Sequence, residues 1–322
     1  KNMAENMMPG GVPLGELPIS PHNQPGPQIG NPNQPGNPVP KVGPNPLQKY
    51  FRQPKIYITL PSKGTYWAPG TLEIPENGEI PVYAMTAKDE MRFKTPDALM
   101  NGQATVDVIQ SCIPSIKNAW LLPILDLDTI LIAMRIATYG ERLEITSKVP
   151  VIQEEKAFTL DMRTLLDKFM NITYENILDH EGLQITIRPL TYAQFTKTAL
   201  KSFEEQRIFD AVKDEDMAED KKISVFNEAF TKLTSLTIDT VKQSIVQIQV
   251  EDQIVTDANQ ISEFIDKADK NFYNAITDHV AKEKKKFETE PMRVEATDEE
   301  LKQGVPKTYD IPIAFDQSNF FV

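Results

Sequence analysis

Proline placement constrains this chain most. Residues 1–46 hold 12 of the 25 prolines and 7 of the 14 glycines, no Phe, Trp or Tyr, and four charged residues, Lys1, Glu5, Glu16 and Lys41. Each proline fixes φ and removes a backbone donor. A segment so poor in large apolar side chains cannot offset the entropy of ordering itself. The run from Gly30 to Pro46 is extended and polyproline-like. Two readings of residues 1–49 stay open: a disordered Pro/Gly/Asn-rich tail, or an extended arm lying along a neighbouring subunit. Either way the core must come from residue 50 onward.

That remainder is long enough for two ordinary domains, expected at 50–190 and 191–322. Hydrophobic residues are 40% and charged residues 25% of the chain, so a buried core is available. The net charge of −12 argues against wrapping nucleic acid, where phosphate neutralisation dominates affinity. The best basic run, Lys284-Lys285-Lys286, is flanked by Glu283, Glu288 and Glu290 and reads as a solvated helix end. No run approaches the roughly 18 apolar residues of a membrane span, and no signal peptide opens the chain. The first residue is Lys1 rather than Met, which fits numbering that begins inside a longer product. The single cysteine, Cys112, rules out an internal disulfide. It lies with Val106, Ile109 and Ile113 on an apolar side and is expected to be a buried, inert thiol.

Hydrophobic periodicity predicts an α+β fold: a small β-rich start, a mixed centre and a mainly helical C-terminal part. Ile56, Ile58 and Leu60 alternate at period two. Thr71–Ile74 and Ile80–Tyr83 flank Asn77-Gly78, a strong hairpin signal. Thr86 is placed to cap a helix containing Asp89, Glu90 and Met91, and Pro96 opens a further helical turn. A helix is expected from Thr105 to Ile113. Another is expected through Ile130 and Ala137, capped by Asp126 or Asp128 and closed by Gly140. Residues 143–151 read as a strand, 160–170 as a helix with Leu165, Leu166 and Phe169 on one face, and 183–187 as a strand. Farther on, Tyr192, Phe195, Ala199 and Phe203 share a helix face, as do Phe226, Ala229, Phe230 and Leu233, with an acidic loop at 213–220 between them. A short strand pair is expected at 244–250 and 254–256. Asp257 then opens one long helix carrying Ile261, Ile265, Phe272, Ile276 and Val280. That stripe suits a helix bundle, a subunit interface or internal packing.

No catalytic pattern emerges. His22, His180 and His279 have no second His or Cys at metal-ligand spacing. The chain contains no G-x-S-x-G, no G-x-x-x-x-G-K-[ST] and no G-x-G-x-x-G. Asp126 and Asp128 read as helix-start carboxylates rather than a cation pair. No cofactor is expected.

The segments LPSKG (60–64), IPVYAMTAKDEM (80–91) and KTPDALMNG (94–102), continued by SCIP (111–114), resemble the T4-type bacteriophage baseplate hub and hub-assembly proteins of contractile tails. The likeness returns at IRPLTY (187–192), FEEQR (203–207) and FDQSNFF (315–321), so it covers most of 55–322 and leaves out the arm. It implies a non-enzymatic structural or assembly component of a tail baseplate, present in the virion and assembled in the host cytoplasm, whose partners are other tail proteins in a multi-subunit assembly. It also covers assembly factors absent from the finished particle. A cell-wall hydrolase carried in the tail and an adaptor elsewhere in the tail or neck are the competing readings. The implied scaffold motif comprises Met85, Lys88, Asp89, Glu90, Met91, Pro96, Asp97 and Leu99. Phe315, Asn319, Phe320 and Phe321 form a candidate apolar anchor for a partner, with packing onto their own domain as the alternative.

One departure is informative. The resemblance implies a CPxC-type zinc knuckle after TYGE (138–141) and a second Cys-rich element before the terminal FDQSNFF. Here VPVI (149–152) keeps the proline without either cysteine, and residues 292–309 contain none. The expectation is that no zinc is bound and that burial of Val149, Val151 and Ile152 replaces it.

Overall fold

The computed structural model describes residues 45–94, 102–214, 219–313 and 321. The chain divides into two units, Lys1–Phe51 and Arg52–Val322. In the first, a 3-10 turn spans Pro46–Tyr50 and is capped by the Asn45 side chain, which accepts from Leu47 N at 3.0 Å. The remaining described elements belong to the second unit.

It is an α+β fold of small antiparallel sheets and helices. Strand β1 (Pro54–Ile58) pairs with β2 (Ile80–Tyr83), which puts Ile58, Ile80 and Val82 into the core. The expected hairpin between Thr71–Ile74 and β2 is therefore corrected. Asn77-Gly78 does make a turn: Gly78 takes φ +76°, and its N–H donates to Pro75 O at 2.8 Å. The preceding segment, however, crosses to Ile116 through an isolated bridge at Leu72, and Ile74 stays exposed. Local turn chemistry determined the turn; burial determined the pairing.

After β2 comes α1 (Ala87–Phe93), with both halves of a capping box made by Thr86 and Asp89. Helix α2 (Gln103–Cys112) stops before Pro114, as expected. Helix α3 (Ile124–Tyr139) is buried nearly all round and ends on Gly140 at φ +91°. Its start corrects the expected Asp126 or Asp128 cap. Pro123 occupies the cap position without a side-chain bond, and Ile124 N donates to Leu190 O at 2.8 Å. Asp126 lies inside the first turn and is fully buried, whereas Asp128 is exposed.

Strands β3 (Arg142–Lys148) and β4 (Glu155–Asp161) form a hairpin. β4 takes Leu160, which the sequence pattern had placed in the following helix. That helix, α4 (Met162–Met170), is instead capped by Asp161 and buries Met162, Leu165, Leu166 and Phe169. Strand β5 (Ile177–His180) turns through Glu181-Gly182 into β6 (Leu183–Ile187), so His180 is the last residue of a strand. Helices α5 (Tyr192–Asp214) and α6 (Glu219–Ser244) follow, absorbing both ends of the expected acidic loop. Then β7 (Ile245–Val250) and β8 (Gln253–Val255) complete a four-stranded sheet in the order β5-β6-β7-β8. This sheet takes two strands from each side of residue 190.

The single long helix expected after Asp257 is two helices, α7 (Ala258–Lys267) and α8 (Lys270–Lys286). Ala268 is extended at ψ 147°, and Asp269 caps α8 by accepting from Phe272 N at 2.8 Å. The apolar stripe survives the break because its residues pack on one sheet: Ile261, Ile265, Phe272 and Ile276 join Ile185, Ile187, Ile245 and Ile248. This is internal packing. The basic end of α8 is only partly free, since Lys286 Nζ lies 2.6 Å from the buried Glu283, which also accepts from Glu175 N at 2.8 Å. Finally β9 (Met292–Glu295), α9 (Asp298–Lys302) and β10 (Thr308–Ile311) lean on the β3–β4 hairpin, burying Val149, Phe158, Val305, Tyr309 and Ile311 together.

Candidate partner-binding surfaces

The scaffold motif is organised by one carboxylate. Asp89 is buried at the start of α1 and accepts from Thr86 N at 2.9 Å, Thr86 Oγ1 at 2.7 Å and Ser111 Oγ at 2.8 Å. Arg52 stands 3.7 Å from it, donating also to Ala84 O and to Ser111. Thus the segment leading into β1 is joined to α1 and α2 through side chains that the sequence separates by up to 59 positions. Met85 and Phe93 are buried beneath, Glu90 is half-buried, and Lys88 and Met91 face solvent. Pro96, Asp97 and Leu99 lie outside the described residues. Burial and the nearby Asp89 charge push the Cys112 thiol up to about 12, so it is neutral and inert.

A second buried carboxylate was misassigned by the sequence reading. Asp126 accepts from Ser62 N at 2.9 Å, Ser62 Oγ at 2.5 Å and Trp67 Nε1 at 2.8 Å. Burial pushes its pKa up from 3.8 to about 6, outweighing the three donors that favour the charged form. All three partners belong to the loop after β1, so Asp126 pins that loop to α3. Neither carboxylate is paired with a second acid in the manner of an acid/base site.

Of the candidate terminal anchor, Phe315, Asn319 and Phe320 lie outside the described residues. Phe321 is buried. Its ring stacks on Phe93 with centroids 4.7 Å apart, and its carbonyl accepts from Tyr139 Oη at 3.0 Å.

The residues present do not fit the zinc sites that the resemblance implies. Val149 is buried and Ile152 half-buried in an apolar cluster, with no thiolate in the cluster at all. Val151 is not buried as expected; it sits exposed at the turn with φ +71°. Among the described residues no group of three or more His, Cys, Asp or Glu could hold a metal ion. Nor, among them, is any helix long and apolar enough to cross a membrane.

Large apolar side chains are exposed instead on the α5–α6 hairpin. Its base is anchored: Tyr192 is buried against Trp120, with ring centroids 5.7 Å apart, and Val241 and Ser244 are buried at the other root. Beyond the base, the helices meet along a seam. On α5 Gln194, Thr198, Ser202 and Glu205 are among the less exposed positions, with Ala193 and Thr196 also half-buried toward the base; on α6 Lys222, Val225, Ala229, Leu233, Leu236 and Thr240 recur in the same way, with Ile238 also half-buried toward the base. These spacings of three and four are one helix face.

Apart from Gln206, which follows Glu205, the residue following each seam position is apolar or small: Phe195, Ala199 and Phe203 on α5, and Ile223, Phe226, Phe230, Thr234, Thr237 and Val241 on α6. The residue preceding it is mostly charged, including Lys197, Lys201, Glu204, Glu228, Lys232 and Asp239. In an antiparallel pair of right-handed helices, equal angular offsets from the seam fall on the same side. The hairpin therefore has one aromatic face and one charged face, the latter carrying the Lys232–Glu228 ion pair at 2.9 Å. Phe195 is 43%, Phe203 48%, Phe230 59% and Ile223 58% exposed. Periodicity identified these stripes in the sequence but could not tell the packed stripe from its neighbour.

Residues 48–305 match the family model described as T4 bacteriophage base plate protein. No curated protein and no solved structure matches the chain. The match runs through β1, the Asp89 and Asp126 networks and both hairpin helices, and on that extent the chain belongs to the T4 bacteriophage base plate protein family.

Proposed function

We propose that this chain is a non-enzymatic component of a contractile-tail baseplate, located at the hub and acting by protein–protein binding. The observation that carries this reading is the exposed aromatic face of the α5–α6 hairpin on a body whose buried carboxylates are tied up in structural bonds. Solvent-facing Lys88 and Met91 on α1 offer a second contact patch above the Asp89 network. Binding to nucleic acid and to zinc forms no part of this role; assembly proceeds in the host cytoplasm and the product resides in the virion. A reconstruction of the purified particle tests it, and density for this chain at the hub is the expected result. Quantitative mass spectrometry of the same particles separates the alternatives: absence of the chain would assign it to assembly factors that leave the structure. Peptidoglycan hydrolysis by the purified protein would overturn the non-enzymatic reading.

A further inference from the structure

We infer that the aromatic face of the α5–α6 hairpin is the interface between two copies of this chain, which pack hairpin on hairpin about a twofold axis into a four-helix bundle.

Area is the first argument. Taking about 200 Å² for each large apolar side chain, Phe195, Phe203, Phe230 and Ile223 leave about 400 Å² of apolar surface in water. That is as large as the biggest patch on a typical monomer. The hairpin face is about 35 Å long and about 20 Å wide, roughly 700 Å², close to the ~800 Å² per partner of a standard interface.

Charge is the second. Within α5 and α6 there are eight basic residues (Lys197, Lys201, Arg207, Lys213, Lys221, Lys222, Lys232, Lys242) and eight acidic ones (Glu204, Glu205, Asp210, Asp214, Glu219, Asp220, Glu228, Asp239). The loop joining them adds Glu215 and Asp216, so residues 192–244 carry −2 of the chain's −12 and most of the excess charge lies elsewhere. Two copies of an acidic protein repel each other, and the helices' nearly balanced faces are where they can meet at least cost. A strongly charged partner would find no complementary field there.

Shape is the third. A twofold contact must be self-complementary. On α6 the bulky residues Ile223, Phe226 and Phe230 occupy the half nearer the tip, and Thr234 and Thr237 the half nearer the base. A twofold axis across the hairpin lays the tip of one copy over the base of the other, bulky side chains against small ones. The threonines suit burial because their hydroxyls are already satisfied: Thr234 Oγ1 donates to Phe230 O at 2.9 Å and Thr237 Oγ1 to Leu233 O at 3.0 Å. Their methyl groups are left to face the partner.

The inference does not depend on the hub assignment. It is tested by light scattering and sedimentation equilibrium on the full chain over a dilution series. The expected result is a dimer that Phe203→Glu with Phe230→Glu dissociates, weakening association at least about 100-fold, the combined effect of two hot-spot side chains. Lys201→Glu, on the charged face, should leave the dimer intact. Should the glutamates lower helix content by circular dichroism, Phe203→Ser with Phe230→Ser must give the same dissociation with unchanged helicity. A wild-type chain that is monomeric throughout, or a dimer that survives both pairs, overturns the inference. In either case the baseplate role would stand.

Discussion

The α3 helix and the α5–α6 hairpin solve opposite problems with similar material. α3 has apolar residues on every side, and β1, β2, α2 and α4 surround it, so nearly all of it is buried. α6 is longer, yet its buried residues are Ala229, Val241 and Ser244. In α3 even the polar residue Asp126 is consumed by the core; in α6 even phenylalanines are left in water. The contrast separates two uses of apolar surface. Buried all round, it sets stability. Left as a second stripe beside a packed seam, it contributes little to folding and is available for binding.

The largest expected effect tests that division directly. Phe169 of α4 is fully buried in the same cluster as α3. Phe169→Ala should cost about 3–5 kcal/mol of unfolding free energy, the usual loss for a core aromatic. Phe230→Ala should change the stability of the monomer by no more than about 0.5 kcal/mol. Urea unfolding followed by the emission of Trp67 and Trp120, at concentrations low enough that two copies do not associate, measures both. Equal losses would mean that the hairpin face belongs to the core, and the comparison would fail.

A somewhat smaller effect sharpens it from the core side. Asp126 holds its proton more tightly folded, near pH 6, than unfolded, near 3.8. Between those values the native state binds more protons, so stability falls as pH rises. The contribution is fully present below about pH 3.8 and is lost as pH passes through about 6. For a shift of this size it amounts to about 3 kcal/mol. Asp126→Asn should reduce that slope, leaving the part due to Asp128, whose carboxyl is also pushed up to about 6 by desolvation. An unchanged profile would show that Asp126 is not the titrating group.

Local signals were legible in the sequence, and long-range ones were not. The caps at Thr86, Gly140 and Asp257 and the strand at Leu183–Ile187 follow from chemistry within a few residues of each position, and the structure keeps them. Asp126 was read as a cap because acidic residues belong at helix starts; its partners Ser62 and Trp67 lie 64 and 59 residues away, beyond any local pattern. Strand β4 was missed although Lys156, Phe158 and Leu160 alternate, because Leu160 also fits the helical face that follows. The break at Ala268–Asp269 escaped for a related reason. The stripe across it keeps helical spacing, and the competing signal is one further aspartate at a cap position.

The smallest expected effect is none at all, and it concerns the part of the fold where packing replaces chemistry. Val149, Phe158, Val305, Tyr309 and Ile311 hold the β3–β4 and β9–β10 hairpins together, with Phe158 and Tyr309 edge to face at 6.4 Å. Lys156 Nζ meets Glu300 at 2.6 Å beside them, joining β4 to α9. Side chains of this kind contribute roughly 1.5–3 kcal/mol each on burial, which suffices to close two short hairpins on each other without a metal. A strong chelator should leave the melting transition unmoved, and purified protein should contain no stoichiometric zinc. Removing the apolar staple should loosen the pair instead: Tyr309→Ala should destabilise it, whereas the exposed Val151, in the β3–β4 turn, should tolerate alanine. If zinc were found, or if Val151→Ala and Tyr309→Ala cost the same, this cluster would not be what holds the hairpins, and its stability would have to be sought outside the apolar contacts described here.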